Sequence, residues 1–459
     1  MIKNYFKTAL RNLRKNKAFS FINIFGLAIG LTSFMLIAVF VYDELSYDKY
    51  PAEARNIYRV ILSVTGNGNV AVYPNVDIAV GEGIKNAFPG IKATARLSTA
   101  SDFIKYSDKQ FKEDHLAFAD SNFLQMFSIP LIEGNVSDAL VRPNSIVITK
   151  AFAKKYFGND EALGKMLAIG MNSAAYKVTG IIDKVPDDSH FHFDAFLSLS
   201  TMHFTYSTWS DIGFYTYLLL DKNVDPKKLE AKFPQLVAKY VVPEVQHDMG
   251  VSLAEAQKSV NTFVFSLQPL TSIHLYSHTK AELDANGDIQ YVYIFSALAI
   301  FILLLACINF TNLSTAKAFK RAREVGIRKV MGSIKKQLII QFLVESVLIT
   351  LFAMLCAYVM IFLLLPYFNQ VASKNISIYF FLNYQTMLLM FFLSLLVGIV
   401  AGIYPAFFLS SFNTIKVLKG SVLAGGAAKT SLRSSLIVFQ FFVSTALIIA
   451  TIIVYNQLH

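Results

Sequence analysis

Two neighbouring stretches decide the fold of this chain: Tyr291-Val-Tyr-Ile-Phe-Ser-Ala-Leu-Ala-Ile-Phe-Ile-Leu-Leu-Leu-Ala-Cys-Ile-Asn-Phe310, and Lys317-Ala-Phe-Lys-Arg-Ala-Arg-Glu-Val-Gly-Ile-Arg-Lys-Val-Met-Gly-Ser333. The first is long enough to cross a bilayer as a helix, which takes about 20 apolar residues. The second contains too many lysines and arginines to lie in lipid. Together they predict a membrane span followed by a basic segment at the cytoplasmic surface.

Further apolar stretches of similar length occur along the chain. With the first one they predict five spans, at residues 19–41, 289–311, 338–365, 386–409 and 436–454. The 459 residues are 54% hydrophobic and only 16% charged, which is typical of a membrane protein that crosses the bilayer several times. The net charge of +11 does not indicate nucleic-acid binding, because the basic residues gather beside the spans.

The positions of the basic residues predict the orientation of the spans. Lysine and arginine concentrate on the cytoplasmic side of membrane proteins. Six of them precede the first span, namely Lys3, Lys7, Arg11, Arg14, Lys15 and Lys17. The amino terminus, the segment 312–337 and the linker 410–435 are therefore expected in the cytoplasm, and residues 42–288 outside it. The first span is expected to remain as an anchor rather than to be cleaved as a signal peptide.

Residues 1–18 show helical spacing of apolar side chains among the basic ones. The apolar positions are Ile2, Tyr5, Phe6, Ala9, Leu10 and Leu13. This pattern predicts an amphipathic helix lying in the cytoplasmic membrane interface. The alternative is a basic flank without fixed structure.

The long region between the first two spans predicts a mixed α+β domain. Residues 145–149 and 175–182 have strand patterns, and residues 150–157 form a predicted helix that ends at Gly158. Two more helices are predicted at 81–87 and 225–240. We place subdomain boundaries near residues 111 and 190.

Two segments at opposite ends of the chain resemble each other. Lys7-Thr-Ala-Leu-Arg11 matches Lys429-Thr-Ser-Leu-Arg433, and Val41-Tyr-Asp-Glu-Leu45 matches Val454-Tyr-Asn-Gln-Leu458. Each pair brackets an apolar stretch, which favours an internal duplication in which the fifth span begins a truncated second unit. The alternative is the chance occurrence of basic residues before two spans.

The basic segment has residue types suited to contact with another protein. Gly326 and Gly332 lack the Cβ atom that would hold a partner's backbone away or hinder a turn, and Val325, Ile327 and Val330 are expected to give the segment an apolar side. The alternative is a solvated basic loop near anionic lipid. Gln341 and Glu345 are the polar residues that stand out in the third span. We expect Glu345 to form an ion pair with Lys335 or Lys336 rather than to serve transport.

Several motifs resemble those of the FtsX/MacB superfamily of ABC permeases. Arg321-Ala-Arg-Glu-Val-Gly-Ile-Arg-Lys-Val-Met-Gly332 is similar to the family's basic motif, and Gly402-Ile-Tyr-Pro-Ala406 with Leu409-Ser-Ser-Phe-Asn-Thr-Ile-Lys416 is similar to the end of its fourth helix. Asp120-Ser-Asn-Phe-Leu-Gln-Met-Phe127, Leu131-Ile-Glu-Gly134, Tyr156-Phe-Gly158 and Leu163-Gly-Lys165 resemble parts of the MacB-type periplasmic domain. A fifth span departs from the four-helix members.

The resemblance implies a fold and a set of partners. The fold is an α-helical transmembrane bundle with a large α+β periplasmic domain at 42–288, made of a Porter-like part and a Sabre-like part at about 111–190. The resemblance places the protein in a bacterial inner membrane. It also implies a cytoplasmic ABC ATPase dimer, a second permease unit (fused or homodimeric), a periplasmic adaptor and membrane lipid as partners.

The resemblance further implies that the permease is not itself an enzyme and needs no cofactor. ATP is hydrolysed by a separate subunit, and its motion passes through the helices to the periplasmic domain, which is called mechanotransmission. The residues expected to couple to the ATPase are Arg321, Arg323, Glu324, Val325, Gly326, Ile327, Arg328, Lys329 and Gly332.

Three functions stay open. One is export of a peptide, antibiotic, toxin or lipoprotein, and another is regulation of a cell-wall hydrolase or detection of antimicrobial peptides. The third is an anchored metalloenzyme, suggested by His190, His192 and Asp194, although a third well-spaced ligand is missing. His274 and His278 are expected to pack as polar groups near the membrane. Residues 423–430 resemble a phosphate loop but lack both required glycines.

Overall fold

The computed structural model describes residues 2–66, 69–203, 208–260 and 262–410, together with 434–435, 437–446, 448–449 and 452. For residues 2–4, 13, 66 and 317–324 the description covers the backbone and not the side chains. The chain divides into two compact units. The membrane unit comprises residues 1–41 and 292–459, and the α+β unit comprises residues 42–291.

The helices differ strongly in length between the two units. In chain order they are α1 (Ile2–Lys15), α2 (Lys17–Ser46), α3 (Ile78–Ala87), α4 (Phe123–Met126), α5 (Lys150–Phe157), α6 (Pro226–Glu230), α7 (Phe233–Leu236), α8 (Val242–Met249), α9 (Leu253–Val260), α10 (Ile273–Tyr276), α11 (Ile289–Val330), α12 (Lys335–Ala372), α13 (Ile378–Leu382) and α14 (Tyr384–Ser410). Among the described residues, four helices are long and apolar enough to cross a membrane: α2, the part of α11 up to Ala316, α12 and α14.

The fifth predicted span cannot be compared in full, because it lies largely outside the described residues. Within it the structure describes an apolar helix over Ile437–Ala446. The linker 410–435 lies almost entirely outside the described part. So do the Lys429–Arg433 and Val454–Leu458 copies of the repeat. The internal duplication therefore stays a prediction.

Glycines let pairs of membrane helices approach closely. A Cβ atom on Gly30 of α2 would lie 2.5 Å from the Cβ of Ala306 on α11, which is closer than carbon atoms can pack. On α14, Gly398 and Gly402 face α12 with similarly little room, against Thr350 and Ser346. Gly26 with Gly30 and Gly398 with Gly402 each have the four-residue spacing of small-residue helix contacts. These contacts join α2 to α11 and α12 to α14.

The α+β unit is built on an eleven-stranded mixed sheet. Its strands are β1 (Ile57–Gly66), β2 (Asn69–Tyr73), β3 (Ile91–Tyr106), β4 (Lys109–Ala119), β5 (Leu131–Gly134), β6 (Ser145–Thr149), β7 (Met166–Ile169), β8 (Ala174–Ile182), β9 (Ala195–Ser198), β10 (Tyr215–Leu220) and β11 (Phe263–Pro269). The order is β11-β1-β10-β3-β4-β9-β6-β8-β5, with β2 beside β1 and β7 beside β3 and β8. The β4–β9 and β6–β8 pairs are parallel and the other pairs are antiparallel.

An aromatic cluster fills the centre of this unit. Phe127 makes edge-to-face contacts with Phe191 and with Tyr217, with ring centroids 5.1 and 5.0 Å apart. Phe123 packs beside them and is fully buried. Such pairs are a favoured geometry of aromatic rings in protein cores. The cluster connects the loop before β9 to the central strand β10.

Some local predictions agree closely with the structure. The strand at 145–149 and the helix at 150–157 are confirmed with their bounds, and β8 begins one residue before the predicted strand. The helix predicted within residues 1–18 is present as α1, and its location in the cytoplasmic interface stays a prediction. Of the predicted subdomain boundaries, residue 111 lies inside β4 and residue 190 lies in the loop before β9.

Two other helix predictions need correction. Helix α3 begins at Ile78 rather than at residue 81, because the Asp77 side chain caps it by accepting a hydrogen bond from the Ala79 N–H. The single helix predicted at 225–240 is broken into α6, α7 and a π-helical segment, Val237–Val241, that leads into α8. Pro234 in the first turn of α7 cannot donate the backbone hydrogen bond that would continue α6.

Candidate functional site

The basic segment is the end of α11, and it turns sharply into α12. Gly332 adopts φ +91°, a conformation that favours glycine, and a Cβ atom there would meet nothing within 4 Å. The Ser333 N–H donates to the Arg328 carbonyl at 3.0 Å, and the Gly332 N–H donates to that of Lys329 at 3.1 Å. This is the hydrogen-bond pattern of a Schellman motif. The glycine is required by the backbone turn, which fixes the direction in which α12 leaves.

Polar side chains anchor the segment to the bundle. Arg328 Nη1 donates to Gln341 Oε1 on α12 at 2.7 Å, and Lys329 Nζ donates to the Ser410 carbonyl at the end of α14 at 2.8 Å. Burial lowers the pKa of Lys329, and the nearby positive charge of Lys335 lowers it further. Arg328 and Lys329, which the sequence suggested for contact with the ATPase, thus form bonds within the permease itself. They tie the end of α11 to two membrane helices.

An apolar contact adds to this anchoring. Val325 is buried in a small cluster with Phe342 of α12 and Ala406 and Leu409 of α14. Gly326, the next residue, is also buried. The prediction that Val325, Ile327 and Val330 share one apolar side is therefore wrong for Val325, which faces the bundle. Residues 325 and 327 are about 200° apart around a helix, so they lie on opposite sides of it.

The opposite face of the segment presents apolar side chains to the outside of the protein. Ile327, Val330, Met331 and Ile334 are 51, 66, 83 and 58% exposed. Ile327 and Val330 lie three residues apart at the end of α11, and so share one face of the helix. Met331 and Ile334 follow in the turn that connects α11 to α12. We call these four residues the coupling ridge. Apolar residues grouped on a charged segment are typical of an interaction surface.

Of the other residues predicted to couple to an ATPase, all but Gly332 lie within α11. Arg321, Arg323 and Glu324 belong to α11, and their side chains lie outside the described part of the chain. Gly332 is exposed at the turn. Sequence reasoning found this segment from its charge and glycines. It missed Met331 and Ile334, whose signal was their apolar character on either side of Gly332.

Helix α1 also contacts this end of the bundle. Asn12 Nδ2 donates to Glu345 Oε1 on α12 at 2.5 Å. Among the described ion pairs, none joins Glu345 to Lys335 or Lys336, which corrects the expected pairing. Nine or ten residues along one helix correspond to about 14 Å, too far for such a bond. Glu345 instead lies against α1.

Thr311 and Thr350, two polar residues within the spans, form hydrogen bonds between and within helices. Thr311 Oγ1 on α11 donates to the Ala401 carbonyl on α14 at 3.0 Å, and Thr350 Oγ1 donates to the Ser346 carbonyl within α12. Such bonds satisfy hydroxyl groups in lipid and can hold helices together. Sequence reasoning did not identify the α11–α14 bond.

Comparison with known families identifies two domains in the chain. Residues 20–236 match the MacB-like periplasmic core domain, and residues 296–414 match the FtsX-like permease C-terminal domain. The chain belongs to the FtsX/MacB type of ABC transporter permease. This type joins a multi-pass membrane unit to a periplasmic core domain, as the fold described above does. The resemblance found in the sequence and the predicted fold class are confirmed.

Individual relatives are distant in sequence. The chain is 23% identical to the macrolide export ATP-binding/permease protein MacB of Bdellovibrio bacteriovorus, over 73% of this chain and 48% of the relative. It is 20% identical to the macrolide export ATP-binding/permease protein MacB of Pasteurella multocida, over 87% of this chain and 58% of the relative. The chain thus spans about half the length of these relatives. The periplasmic region of MacB from Actinobacillus actinomycetemcomitans aligns with 48% of this chain and 91% of that structure, at 15% identity and a TM-score of 0.33.

His190 and His192, the two histidines considered as metal ligands, each form hydrogen bonds with other side chains. His190 binds Asp48 through Nδ1 at 2.7 Å and the Tyr217 hydroxyl through Nε2 at 2.6 Å. His192 binds Asp284, whose hydrogen bond raises the pKa of the imidazole. Within the described part of the chain, no three His, Cys, Asp or Glu side chains are grouped to hold a metal ion.

His274 also has a polar partner. It is buried and donates through Nε2 to Glu44 at 3.0 Å. This contact agrees with the expected role as a packed polar group. The phosphate-loop-like stretch at 423–430 lies outside the described residues.

Proposed function

We propose that this permease works in an ABC transporter whose ATP-hydrolysing subunit docks on the coupling ridge. Four exposed apolar side chains at the end of a charged helix are costly in water, at about 25 cal/mol per Å² of apolar surface. A partner that covers them would recover this free energy. The ridge, with Met331 83% exposed, is the observation that supports this proposal most directly.

The helices offer a direct route for motion from the ridge. Helix α11 is continuous from Ile289 to Val330, so a push on its end acts on the whole membrane span. Arg328 and Lys329 connect the same end to α12 and α14. We propose that closure of an ATPase dimer displaces these helices together, and that the periplasmic core domain responds. This is mechanotransmission without a substrate path through the bundle.

The substrate class is proposed from the relatives. The names of the MacB relatives specify macrolide export and combine ATP-binding and permease functions. We propose that this permease serves export of a peptide, antibiotic, toxin or lipoprotein. We propose that a separate subunit supplies the ATP-binding function, with this chain contributing the periplasmic core domain and the permease C-terminal domain.

The arrangement in the membrane follows from the same proposal. The protein lies in a bacterial inner membrane. Its amino terminus and coupling ridge lie in the cytoplasm, and its α+β unit lies in the periplasm. An ATPase dimer has two docking sites, so a second permease unit, fused or homodimeric, is required to occupy both. Membrane lipid and a periplasmic adaptor complete the proposed partners.

A matched pair of substitutions tests the docking surface. Met331→Glu places a charge on the coupling ridge, and Met249→Glu places the same charge on a methionine of the α+β unit that is 68% exposed. Intact chains are purified from native membranes, and the copurified ATP-binding subunit and ATP hydrolysis are measured. We expect Met331→Glu to lose both and Met249→Glu to retain both. Equal recovery with the two variants would refute docking at the ridge.

A further inference from the structure

The outer end of the first span carries a buried carboxylate. Helix α2 extends to Ser46, and Glu44 in its last turn is 8% exposed. His274 of α10 donates to it through Nε2 at 3.0 Å. The ring of Tyr47 stacks on the His274 ring, with centroids 3.5 Å apart and planes within 8°. A buried charged group is stable only with such partners, so α10 is held firmly against the end of α2.

The segment immediately before the second span also lies against the Glu44–His274 pair. Gly287 lies two residues before α11 begins, and a Cβ atom there would overlap the Glu44 carboxylate and lie 3.0 Å from His274 Nε2. Gly287 has no positive φ that would require glycine for the backbone. The absence of a side chain at Gly287 therefore allows the segment before α11 to pack closely against the end of α2.

Two further buried networks join these segments to the sheet. Asp48, just past the end of α2, accepts from His190, and His190 in turn binds Tyr217 of β10. Arg59 of β1 is fully buried and donates twice to Glu282, in the segment that leads to α11. Burial alone would raise the pKa of Glu282, but the bonds and charge of Arg59 hold it below its usual value. The segments next to the ends of both spans are thus attached to the neighbouring strands β10 and β1.

We propose that Glu44, His274 and Gly287 form a base clamp, a set of positioning residues that fixes the outer ends of the first two spans to each other and to the sheet. Displacement of either helix then reaches the periplasmic core domain as one movement. The proposal deepens the proposed function and rests on it, because mechanotransmission gives the clamp its task. It assigns roles to residues outside the coupling segment.

The clamp is tested by the distance between the end of α2 and the sheet. Spin labels are placed at Leu45 on α2 and Lys92 on β3, both exposed, in full-length chain with Cys307 and Cys356 replaced by serine. Pulsed electron paramagnetic resonance in lipid nanodiscs gives the distance distribution. We expect one narrow distribution for the otherwise unchanged chain and an at least twofold broader one after Gly287→Ala.

Matched variants separate the clamp from general destabilisation. Gly213→Ala adds the same methyl group where nothing lies within 4 Å, and it should leave the distribution narrow. Glu44→Ala and His274→Ala should each broaden it, and the exchange E44H with H274E should narrow it again by restoring the pair. Circular dichroism and membrane insertion are measured for every variant. If Gly287→Ala leaves the distribution narrow in a folded chain, or broadens it no more than Gly213→Ala, the clamp is disproved.

The outcome is independent of ATPase docking. The distance measurement uses the permease alone, so it can support the clamp even where Met331→Glu disproves docking at the ridge. Conversely, a narrow distribution in the Gly287→Ala variant overturns the clamp even where the ATPase binds normally. In the assembled transporter, clamp variants should retain ATP hydrolysis and lose the ATP-driven change in the Leu45–Lys92 distance. Retention of that change would also contradict the clamp.

Discussion

Arg328 and Gln341 face each other across the Gly332 turn, with Nη1 and Oε1 2.7 Å apart. The bond joins the last turn of α11 to the first turns of α12, and it is partly shielded from water. It therefore makes the helix–turn–helix a stiff unit rather than a flexible loop. A stiff unit is what docking at the coupling ridge requires if the motion of a partner is to reach the membrane helices.

This bond should have a measurable free energy. Arg328→Met and Gln341→Leu are combined in a double-mutant cycle, and we expect a coupling on the order of 1 kcal/mol, since the donor is charged and part-buried. The measurement is the free energy of unfolding of the full-length chain in mixed micelles. The exposed Glu82–Lys85 pair, 4.0 Å apart, provides a control cycle expected near zero. Equal couplings in both cycles would contradict the anchoring role.

The orientation of the spans can be tested by labelling. In a chain whose native cysteines are replaced by serine, single cysteines are introduced at Ser101 on β3 and at Ser333 beside the Gly332 turn. A membrane-impermeant thiol reagent applied to cells with a permeabilised outer membrane should label residue 101 and not residue 333. Lysis should then expose residue 333. Labelling of residue 333 before lysis would invert the proposed topology.

The contact of α2 with α11 predicts different effects for two neighbouring glycines. Gly30→Ala forces a methyl group onto Ala306 and should destabilise the chain by about 1–3 kcal/mol, as overpacking does. Gly26→Ala brings a methyl group only to 3.4 Å from Asn309 Nδ2, an ordinary contact, and should cost little. Thermal unfolding in detergent compares the two. A larger loss for Gly26→Ala would show that the helices pack differently.

The His192–Asp284 pair predicts a pH dependence of stability. The hydrogen bond to Asp284 raises the pKa of the His192 imidazole above its ordinary value of 6.5, and the negative charge of Asp284 raises it further. A raised folded-state pKa stabilises the fold fully below about pH 6.5. This contribution is lost as the pH rises through the raised pKa. His192→Gln should therefore destabilise the periplasmic core domain at about pH 6 and have little effect at about pH 9.

Fluorescence of Trp209, the single tryptophan of the chain, can follow this unfolding, because it is buried and stacked on Tyr240 in the same unit. His247→Gln serves as a control, since the His247 side chain is 90% exposed. A loss of stability that is the same at both pH values would argue against a protonated His192–Asp284 pair.

Much of the architecture follows from local patterns in the sequence. The four spans are evident from composition alone, and the strand at 145–149 and helix at 150–157 combine an apolar run with a clear Thr149 cap and Gly158 end. The four-residue glycine spacings at 26–30 and 398–402 are also visible in the sequence. These features depend on residues close together in the chain.

The missed features depend on residues far apart in the chain. Glu44 meets His274 across 230 positions, and Asn12 meets Glu345 across 333. Nothing in the local sequence of Arg328 distinguishes a cation bound to Gln341 from one free for a partner. The inward position of Val325 likewise depends on Phe342 and Leu409, which arrive from other helices. Such pairings arise only once the helices and the sheet are assembled.

Site-specific photocrosslinking at Met331 tests the central claim most directly. A photoreactive amino acid replaces Met331 on the coupling ridge and, as a control, Ile300, which is 56% exposed within the second span. After irradiation of intact cells, the crosslinked products are identified by mass spectrometry. We predict that residue 331 is joined to an ABC ATP-binding subunit and that residue 300 is not. Absence of that product at residue 331, with the ATP-binding subunit present in the cells, would contradict the account.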